Sequence, residues 1–459
     1  MARIERDFLG ERELPDSAYY GVQTLRGKEN FSITGVAMSA EPQFVRALGY
    51  VKKAAAMANR DLGAVEPRIC DAIIHACDRL IAGEFLDQFV TDFIQGGAGT
   101  STNMNANEVI ANVALEHLGR PKGDYAVVNP NDHVNFGQST NDVYPTALHL
   151  ALILRLADLV EALRLLQESF FAKGSSFAQV LKMGRTHLQD AVPMTLGQEF
   201  HGWGTTIGDE ILRIEDVRRH LLEVNLGATA IGTSVTAVAG YPELAVRHLA
   251  AITGFPFTLA HDLVEATSDT GDYVQVSGVL KRTSSKLTKI CNDIRLLASG
   301  PRCGLNEIDL PEKQAGSSIM PGKVNPVIPE SVNQTGFLVI GLDLTVTLAA
   351  SAGQLQLNVM EPVIAYALFL SISTMEHAVS SLRVNCIDGI SANADRTREM
   401  VLGSLGIVTL LKPALGYELC SAVARECYES GKSLRTVVVD ERRLLTPEAW
   451  DELFSVENL

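Results

Sequence analysis

The chain has 459 residues, of which 46% are hydrophobic and 20% are charged, a composition typical of globular proteins with a large core. Its formal net charge of -15 argues against binding to nucleic acid or to an anionic membrane surface. No uninterrupted apolar stretch of about eighteen residues predicts a membrane span. The N-terminus lacks the apolar segment of a signal peptide, and the seven cysteines show no metal-binding spacing. These features predict a reduced, cytoplasmic protein without a metal or other cofactor.

The first part of the chain, to about residue 138, mixes short helices with loops and a few possible short strands. Its polar loop from Gln95 to Asn105 contains three glycines and precedes a helix predicted over about 104–118. Glycines allow the backbone to approach a ligand, and the free N–H groups of a helix start favour anions. Considered alone, however, this loop is better explained as an ordinary capped turn.

A second polar loop, from His133 to Asp142, opens the first of five predicted long helices. Apolar residues recur along this helix at alternating spacings of four and three. Ser139 and Asp142 have the spacing of a capping box, and Gly174 marks the predicted end.

Four more helices follow the same pattern. They are predicted from about Thr195 to Val224, from about Gly271 to Ser299, from about Pro329 to Ala352, and after Pro362. In the first of them, Gln198 stands at the capping-box position relative to Thr195. Helices of roughly 25–30 residues are too long for a compact globin-like domain and favour an elongated bundle. Residues 335–353 are apolar almost all round, which predicts burial against other subunits.

Two further segments carry reactive side chains. In Arg185–Asp190, His187 follows Thr186 ahead of a predicted helix, where a lone histidine is more often structural than catalytic. The segment 316–326 contains two glycines, two adjacent serines, one lysine and one asparagine. By itself it weakly indicates a mobile lid with a Ser/Lys pair.

The sequence GSSIMPGKVNP at 316–326 resembles the signature of the fumarase/aspartase superfamily, and the other three polar segments match that family's remaining active-site regions in order. The resemblance covers essentially the whole chain. It implies a mainly α, three-domain fold with an N-terminal mixed domain over 1–138, a central long-helix bundle over 139–392 and a small C-terminal helical domain over 393–459. It also implies a homotetramer with a twenty-helix core, in which each active site collects regions from three subunits.

Flanking motifs resemble the aspartase branch more than class II fumarases. They are AYYGVQT, STND, LGATAIGT and GQLQLNVMEPV. The implied activity is reversible anti-elimination of ammonia from L-aspartate, a small dicarboxylate, to give fumarate. The chain departs from the family pattern at Ser234-Val235-Thr236, at Cys303 and at Phe136-Gly137. Three alternatives stay open: a fumarate hydratase, a lyase for another amino-dicarboxylate, and a non-catalytic protein with the same fold.

The resemblance also implies catalytic roles. Ser317 would be the base that removes the β-proton, with its alkoxide stabilised by loop N–H groups and by Lys323. The product of this step would be an aci-carboxylate dianion. Glu330 would pair with His187.

The remaining implied contacts hold the three polar groups of the substrate. Thr100, Ser139 and Thr140 would bind the β-carboxylate. Lys323, Asn325 and Thr186 would bind the α-carboxylate. Asn141 and His187 would bind the amino group.

Overall fold

A computed structural model describes residues 2–455 and is mainly helical, as the sequence predicts. The helices are α1 (Val22–Asn30), α2 (Pro42–Asp61), α3 (Pro67–Ile81), α4 (Thr100–His117), α5 (Thr140–Ser176), α6 (Leu196–His220), α7 (Tyr241–Thr253), α8 (Leu263–Ser268), α9 (Gly271–Leu297), α10 (Val327–Ser351), α11 (Glu361–Asn385), α12 (Ala394–Gly403), α13 (Val408–Leu415), α14 (Tyr417–Ser430) and α15 (Pro447–Leu453).

The strands form four two-stranded pairs. They are β1 (Ala2–Asp7) with β2 (Gly10–Pro15), β3 (Leu181–Thr186) with β4 (Gln189–Thr195), β5 (Glu223–Val224) with β6 (Thr258–Leu259), and β7 (Ile308–Asp309) with β8 (Ser391–Ala392). The β5–β6 pair is parallel and the other three are antiparallel.

The five predicted long helices are α5, α6, α9, α10 and α11, of 37, 25, 27, 25 and 25 residues. Both predicted caps form. Thr195 and Gln198 exchange backbone-to-side-chain hydrogen bonds of 2.9 and 3.0 Å at the start of α6. At the start of α5, the Ser139 amide donates to Asp142 Oδ1 at 3.1 Å, while the Ser139 hydroxyl accepts from the Asn141 amide at 3.2 Å. These contacts satisfy backbone donors that a helix start leaves unpaired.

The hairpin of β3 and β4 is the main element that the sequence did not predict. His187 was expected to lie simply ahead of a helix, but the structure places it in the two-residue turn of this hairpin. His187 and Leu188 have φ angles of 55° and 61°, the left-handed pair that a tight hairpin turn requires. The pattern was hidden because Leu181, Lys182 and Met183 are all buried, so the strand shows no alternation of polar and apolar residues.

The described residues fall into two compact units, each assembled from three stretches of chain. The first unit contains the residues up to Val160, Leu212–Arg282 and Phe337–Thr374, and the second contains Glu161–Ile211, Thr283–Gly336 and the residues from Met375 onward. Each long helix contributes to both units. The three-domain division at residues 138 and 392 stays a prediction.

Each unit has an apolar core. In the first, the Phe44 ring packs edge-on against Tyr144 and at a tilt against Phe369. In the second, Trp450 and the C-terminal helices enclose a cluster that includes the β3 side chains Leu181 and Met183. The thiols of Cys70 and Cys77 are buried in the core of the first unit, and those of Cys420 and Cys427 in the core of the second.

Helix α10 exposes a row of large apolar side chains in the single chain: Phe337, Leu338, Ile340, Leu344 and Leu348. By length and composition alone, α10 and residues 361–389 meet the criterion for a membrane-crossing helix, which core helices of soluble proteins also meet. Asp343 is buried on α10, where it accepts hydrogen bonds from Ser277 Oγ at 2.8 Å and Lys281 Nζ at 2.6 Å. A charged pair at mid-helix fits packing against protein better than lipid.

Candidate active site

In the first unit, the N-termini of α4 and α5 lie side by side. Helix α4 begins at Thr100, directly after Gly99, and α5 begins at Thr140. Asn103, on the first turn of α4, donates from Nδ2 to Thr140 Oγ1 at 3.1 Å. This contact places the start of α4, which carries Thr100, next to the start of α5, which carries Thr140. A shared anion site of Thr100, Ser139 and Thr140 stays a prediction. Two helix N-termini present their positive dipole ends to the same region.

Asn141 is held in a defined orientation beside these helix starts. Its side-chain Nδ2 donates to the Ala230 carbonyl at 2.7 Å, and its backbone carbonyl accepts from Asn225 Nδ2 at 3.0 Å. Its Oδ1 accepts no hydrogen bond within residues 2–455. That oxygen is the atom able to accept a hydrogen bond from a substrate ammonium group.

A buried polar network behind these residues was missed in the sequence. Lys52 is fully buried and donates to Asn135 Oδ1 at 2.8 Å and to Gln138 Oε1 at 2.9 Å. Burial lowers the pKa of the Lys52 ammonium to about 7. Asn135 Oδ1 also accepts from Asn103 and Asn107 of α4. The only sequence signal was the run of asparagines along α4.

Asp142 ties the start of α5 to the segment that follows β5. Its carboxylate accepts from the backbone amides of Ser139 at 3.1 Å, Gly227 at 3.1 Å and Thr229 at 2.8 Å. Burial raises the pKa of Asp142 to about 7, and these amides act in the opposite direction. The sequence identified Asp142 only as a cap, whereas it also fixes the 227–229 backbone beside Asn141.

In the second unit, the loop 316–326 is closed by contacts between its two ends. The Gly316 amide donates to the Lys323 carbonyl at 2.7 Å, and Asn325 Nδ2 donates to the Gly316 carbonyl at 2.7 Å. A Cβ at position 316 would lie 2.5 Å from the Lys323 carbonyl oxygen, so this closure requires glycine. The closed loop brings Ser317, Lys323 and Asn325 together.

Ser317 Oγ accepts two backbone hydrogen bonds, from the amide of Ile319 at 3.2 Å and from the amide of Met320 at 3.1 Å. Amides that point at a hydroxyl oxygen stabilise it further when it loses its proton. Ser317 and Lys323 line the same open cavity of about 430 Å³.

Thr186 and His187 are exposed at the tip of the β3–β4 hairpin. The strand behind them is anchored by buried charges. Arg185 Nη1 lies 2.5 Å from Glu307 Oε1, and Lys182 pairs with Glu199 and with Glu307 Oε2, the latter at 3.0 Å. These ion pairs hold the hairpin that presents the two residues.

Glu330 lies on the first turn of α10, and its carboxylate is 4.0 Å from Arg295 Nη2. Within the described part of the chain, Glu330 and His187 form no hydrogen bond or ion pair. The predicted Glu330–His187 pair therefore stays a prediction. Among residues 2–455, no group of three or more His, Cys, Asp or Glu side chains is arranged to hold a metal ion.

Comparison with known proteins identifies the family. The family model described as Lyase matches residues 10–341, and the model described as Fumarase C C-terminus matches residues 407–459. The chain belongs to the lyase family. The predicted membership in the fumarase/aspartase superfamily and the assignment as a carbon–nitrogen lyase are confirmed.

Three relatives illustrate the extent of the similarity. The aspartate ammonia-lyase of Pseudomonas aeruginosa is 58% identical over 444 residues, which cover 96% of this chain and 94% of the relative. A crystal structure of fumarate lyase:delta crystallin from Brucella melitensis bound to cobalt is 51% identical, with a TM-score of 0.96. The match covers 100% of this chain and 99% of that structure's chain. A crystal structure of the class II fumarase from Schistosoma mansoni is 34% identical, with a TM-score of 0.92. The match covers 100% of this chain and 99% of the fumarase chain. The predicted fold class is confirmed.

Proposed function

We propose that this lyase is an aspartate ammonia-lyase, which converts L-aspartate reversibly to fumarate and ammonia. The proposal rests on 58% and 53% identity to aspartate ammonia-lyases of Pseudomonas aeruginosa and Helicobacter pylori over nearly the whole chain. The lower identity, 34%, to the fumarase from Schistosoma mansoni agrees with the aspartase-like flanking motifs.

The elimination begins with removal of a proton from the carbon next to the β-carboxylate. That C–H group is a very weak acid, so the negative charge must be delocalised into the carboxylate as an aci-carboxylate dianion. Ser317 is the proposed base. The amides of Ile319 and Met320 that already contact Ser317 Oγ support this role, because they would stabilise the alkoxide. Lys323, which lines the same cavity, adds a positive charge.

Charge then develops on the β-carboxylate, which the proposal places at the paired N-termini of α4 and α5. Thr100, Ser139 and Thr140 would donate hydrogen bonds there, at the positive dipole ends of the two helix starts. Removal of one donor of this kind typically costs about 100–1000-fold in rate. The buried Asn103–Thr140 contact keeps the two helix starts together before the substrate binds.

The other polar groups of the substrate complete the site. Lys323, Asn325 and Thr186 would hold the α-carboxylate, and Asn141 and His187 would hold the amino group. Glu330 would pair with His187. The C–N bond breaks as the aci-carboxylate collapses, so that nitrogen leaves as ammonia and fumarate remains.

We infer further that each complete site forms in a homotetramer, in which Glu330 reaches His187 across a subunit boundary. The exposed apolar row on α10 supports this assembly, because a soluble chain rarely leaves such a row uncovered.

Purified protein with fumarate, and with either ammonium or plain buffer, tests the activity. Fumarate absorbance and product analysis should show aspartate forming and malate forming poorly. Faster formation of malate would make the chain a fumarate hydratase. Formation of neither product would favour another amino-dicarboxylate, such as a β-substituted aspartate, or a non-catalytic protein.

A further inference from the structure

The orientation of the Asn141 side chain is fixed by one backbone carbonyl. Asn141 Nδ2 donates to the carbonyl of Ala230 at 2.7 Å. Because a carbonyl can only accept hydrogen bonds, the NH2 side of the amide must face Ala230, and Oδ1 must face away from it. If that carbonyl moved, the amide could rotate and present N–H donors, which cannot accept from an ammonium group. The position of the Ala230 carbonyl therefore decides whether Asn141 can bind an amino group.

Asp142 holds the short segment that carries this carbonyl. Its carboxylate is fully buried, and Oδ2 accepts from the amides of Gly227 at 3.1 Å and Thr229 at 2.8 Å. Thr229 directly precedes Ala230 in the chain. Hydrogen bonds from N–H groups to a charged carboxylate are stronger than those to a neutral acceptor. Asp142 therefore ties the first turn of α5 to the segment 227–230.

The backbone of this segment has an unusual conformation that needs such contacts. Thr229 has a φ angle of 58°, in the left-handed region where a β-branched residue is a rare outlier. Gly227 has a φ angle of 96°, and a Cβ there would lie 2.7 Å from Pro242 Cα. Conformations of this kind persist only where the surrounding structure holds them, and they cluster at functional sites. The hydrogen bond from the Thr229 amide to Asp142 is one such contact, and packing against Pro242 is another.

We propose that Asp142 is a positioning residue for the substrate's amino group, which it serves through the segment 227–230 and Asn141. The inference rests on the proposed function, in which Asn141 binds that group. Asp142 does not contact the substrate, because it is fully buried and both of its oxygens accept from backbone amides. Loss of Asp142 should therefore weaken binding of the amino group by freeing the Asn141 amide to rotate.

The amination direction tests this role, because ammonium and fumarate then bind as separate molecules with separate KM values. Asp142→Ala should raise the KM for ammonium about tenfold, the effect of losing a hydrogen bond to a charged group. In an Asn141→Ala background the same substitution should raise that KM no further, since the residue through which Asp142 acts is already gone. Asp132→Ala, which removes an exposed carboxylate ahead of α5, is the control and should behave as wild type.

A second variant displaces the segment while Asp142 stays in place. In Gly227→Ala the new Cβ meets Pro242, so the segment must shift even though the cap of α5 is unchanged. The KM for ammonium should again rise about tenfold, while the KM for fumarate changes less than about twofold. Gly240→Ala is the matched control, since φ is 82° there and no atom lies within 4 Å of the new Cβ. This pair tests the proposal even if Asp142→Ala fails to fold.

Two kinetic outcomes would overturn the proposal. One is an additive rise in the KM for ammonium when Asp142→Ala is combined with Asn141→Ala, which would indicate a general structural role. The other is an equal rise in both KM values in Gly227→Ala.

Crystal structures of the wild type and of Gly227→Ala give a readout that needs no turnover. The hydrogen bond from Asn141 Nδ2 to the Ala230 carbonyl should be present in the wild type and absent in the variant. Its persistence in the variant would also overturn the proposal. A wild-type protein that has this hydrogen bond, and a variant that loses it, would support the positioning role even if no aspartate forms. In that case the proposed function alone would be contradicted.

Discussion

Gly99 approaches the ring of Tyr144 so closely that a Cβ at position 99 would lie 2.2 Å from Tyr144 Cδ2. Gly99 precedes the first residue of α4, and Tyr144 lies on the first turns of α5. The φ angle of 90° at Gly99 also belongs to the left-handed region that favours glycine. This single contact sets how near the two helix starts can come, and with it the spacing of the proposed β-carboxylate donors.

Gly99→Ala should therefore lower kcat/KM for aspartate by about 100-fold, the effect of a displacement of about 1 Å in a catalytic site. Steady-state kinetics measures the loss, and circular dichroism checks that the helices remain. Gly97→Ala is the control, since φ is 86° there but the nearest side-chain atom would be 3.5 Å from the new Cβ. Equal losses in both variants would assign the effect to backbone strain and not to the Tyr144 contact.

Ser317→Ala should leave the fold intact and abolish turnover, because the described loop offers no second group held by two amides. Single-turnover and steady-state assays with aspartate measure the effect. Ser318→Ala provides the matched control on the adjacent exposed residue and should retain most activity. If Ser317→Ala keeps more than about a tenth of the wild-type kcat, a loss of only ~1.4 kcal/mol, Ser317 is not the base.

The long helices and the loop at 316–326 could be predicted from the sequence, because the signal for each is local. The long helices follow from apolar periodicity and from caps such as Thr195 with Gln198, which are three residues apart. Ser317 and Asn325 could be selected because their loop is one continuous motif. Lys52 could not, since its acceptors Asn135 and Gln138 are 83 and 86 residues away along the chain. A lysine on a helix is normally solvated, and only the tertiary fold reveals a buried one.

The β3–β4 hairpin was missed for a related reason. Buried Lys182 is satisfied by Glu199 and Glu307, which are distant in sequence, so its burial leaves no local signal. The turn positions also hold His187 and Leu188, and not the glycine or asparagine that is typical of a tight turn.

Lys323→Met should raise the KM for aspartate at least about tenfold and lower kcat, because the variant loses the cation that is proposed to bind the α-carboxylate and to stabilise the alkoxide. Initial rates over a range of aspartate concentrations separate the two effects. Lys313→Met removes another cation that lines the same cavity and serves as the control. An unchanged KM in Lys323→Met would remove this lysine from the binding role.

Leu344→Glu should disrupt the assembly. Leu344 is 59% exposed in the single chain and lies in the apolar row of α10, so a charge there would be buried without a partner in a tetramer. Light scattering should give about four times 49.6 kDa for the wild type and a smaller mass for the variant. Leu9→Glu, at a similarly exposed position in the β1–β2 turn, should keep the full mass. A stable and active wild-type monomer would contradict both the tetramer and the shared site.

Glu361 makes the stability of the fold depend on pH in a predictable direction. It lies at the start of α11, and burial raises its pKa from 4.5 to about 8. No cation pairs with it within residues 2–455. The neighbouring phenols of Tyr144 and Tyr273 stay protonated in this range, because burial raises their pKa values well above 10.

Between about pH 4.5 and 8 the unfolded chain has ionised Glu361 while the folded protein keeps it protonated. The unfolded state therefore binds fewer protons, and the free energy of unfolding falls by up to about 1.4 kcal/mol per pH unit from this group. Glu361→Gln removes this contribution to the pH dependence of the unfolding free energy, and it keeps the shape of the side chain. Urea denaturation gives the unfolding free energy of the variant and of the wild type at each pH. The variant value minus the wild-type value should be about 3 kcal/mol larger at about pH 9 than at about pH 6. Glu243→Gln, on the exposed face of α7, should show no such rise. An equal difference between Glu361→Gln and wild type at both pH values would mean that Glu361 is not a buried neutral acid.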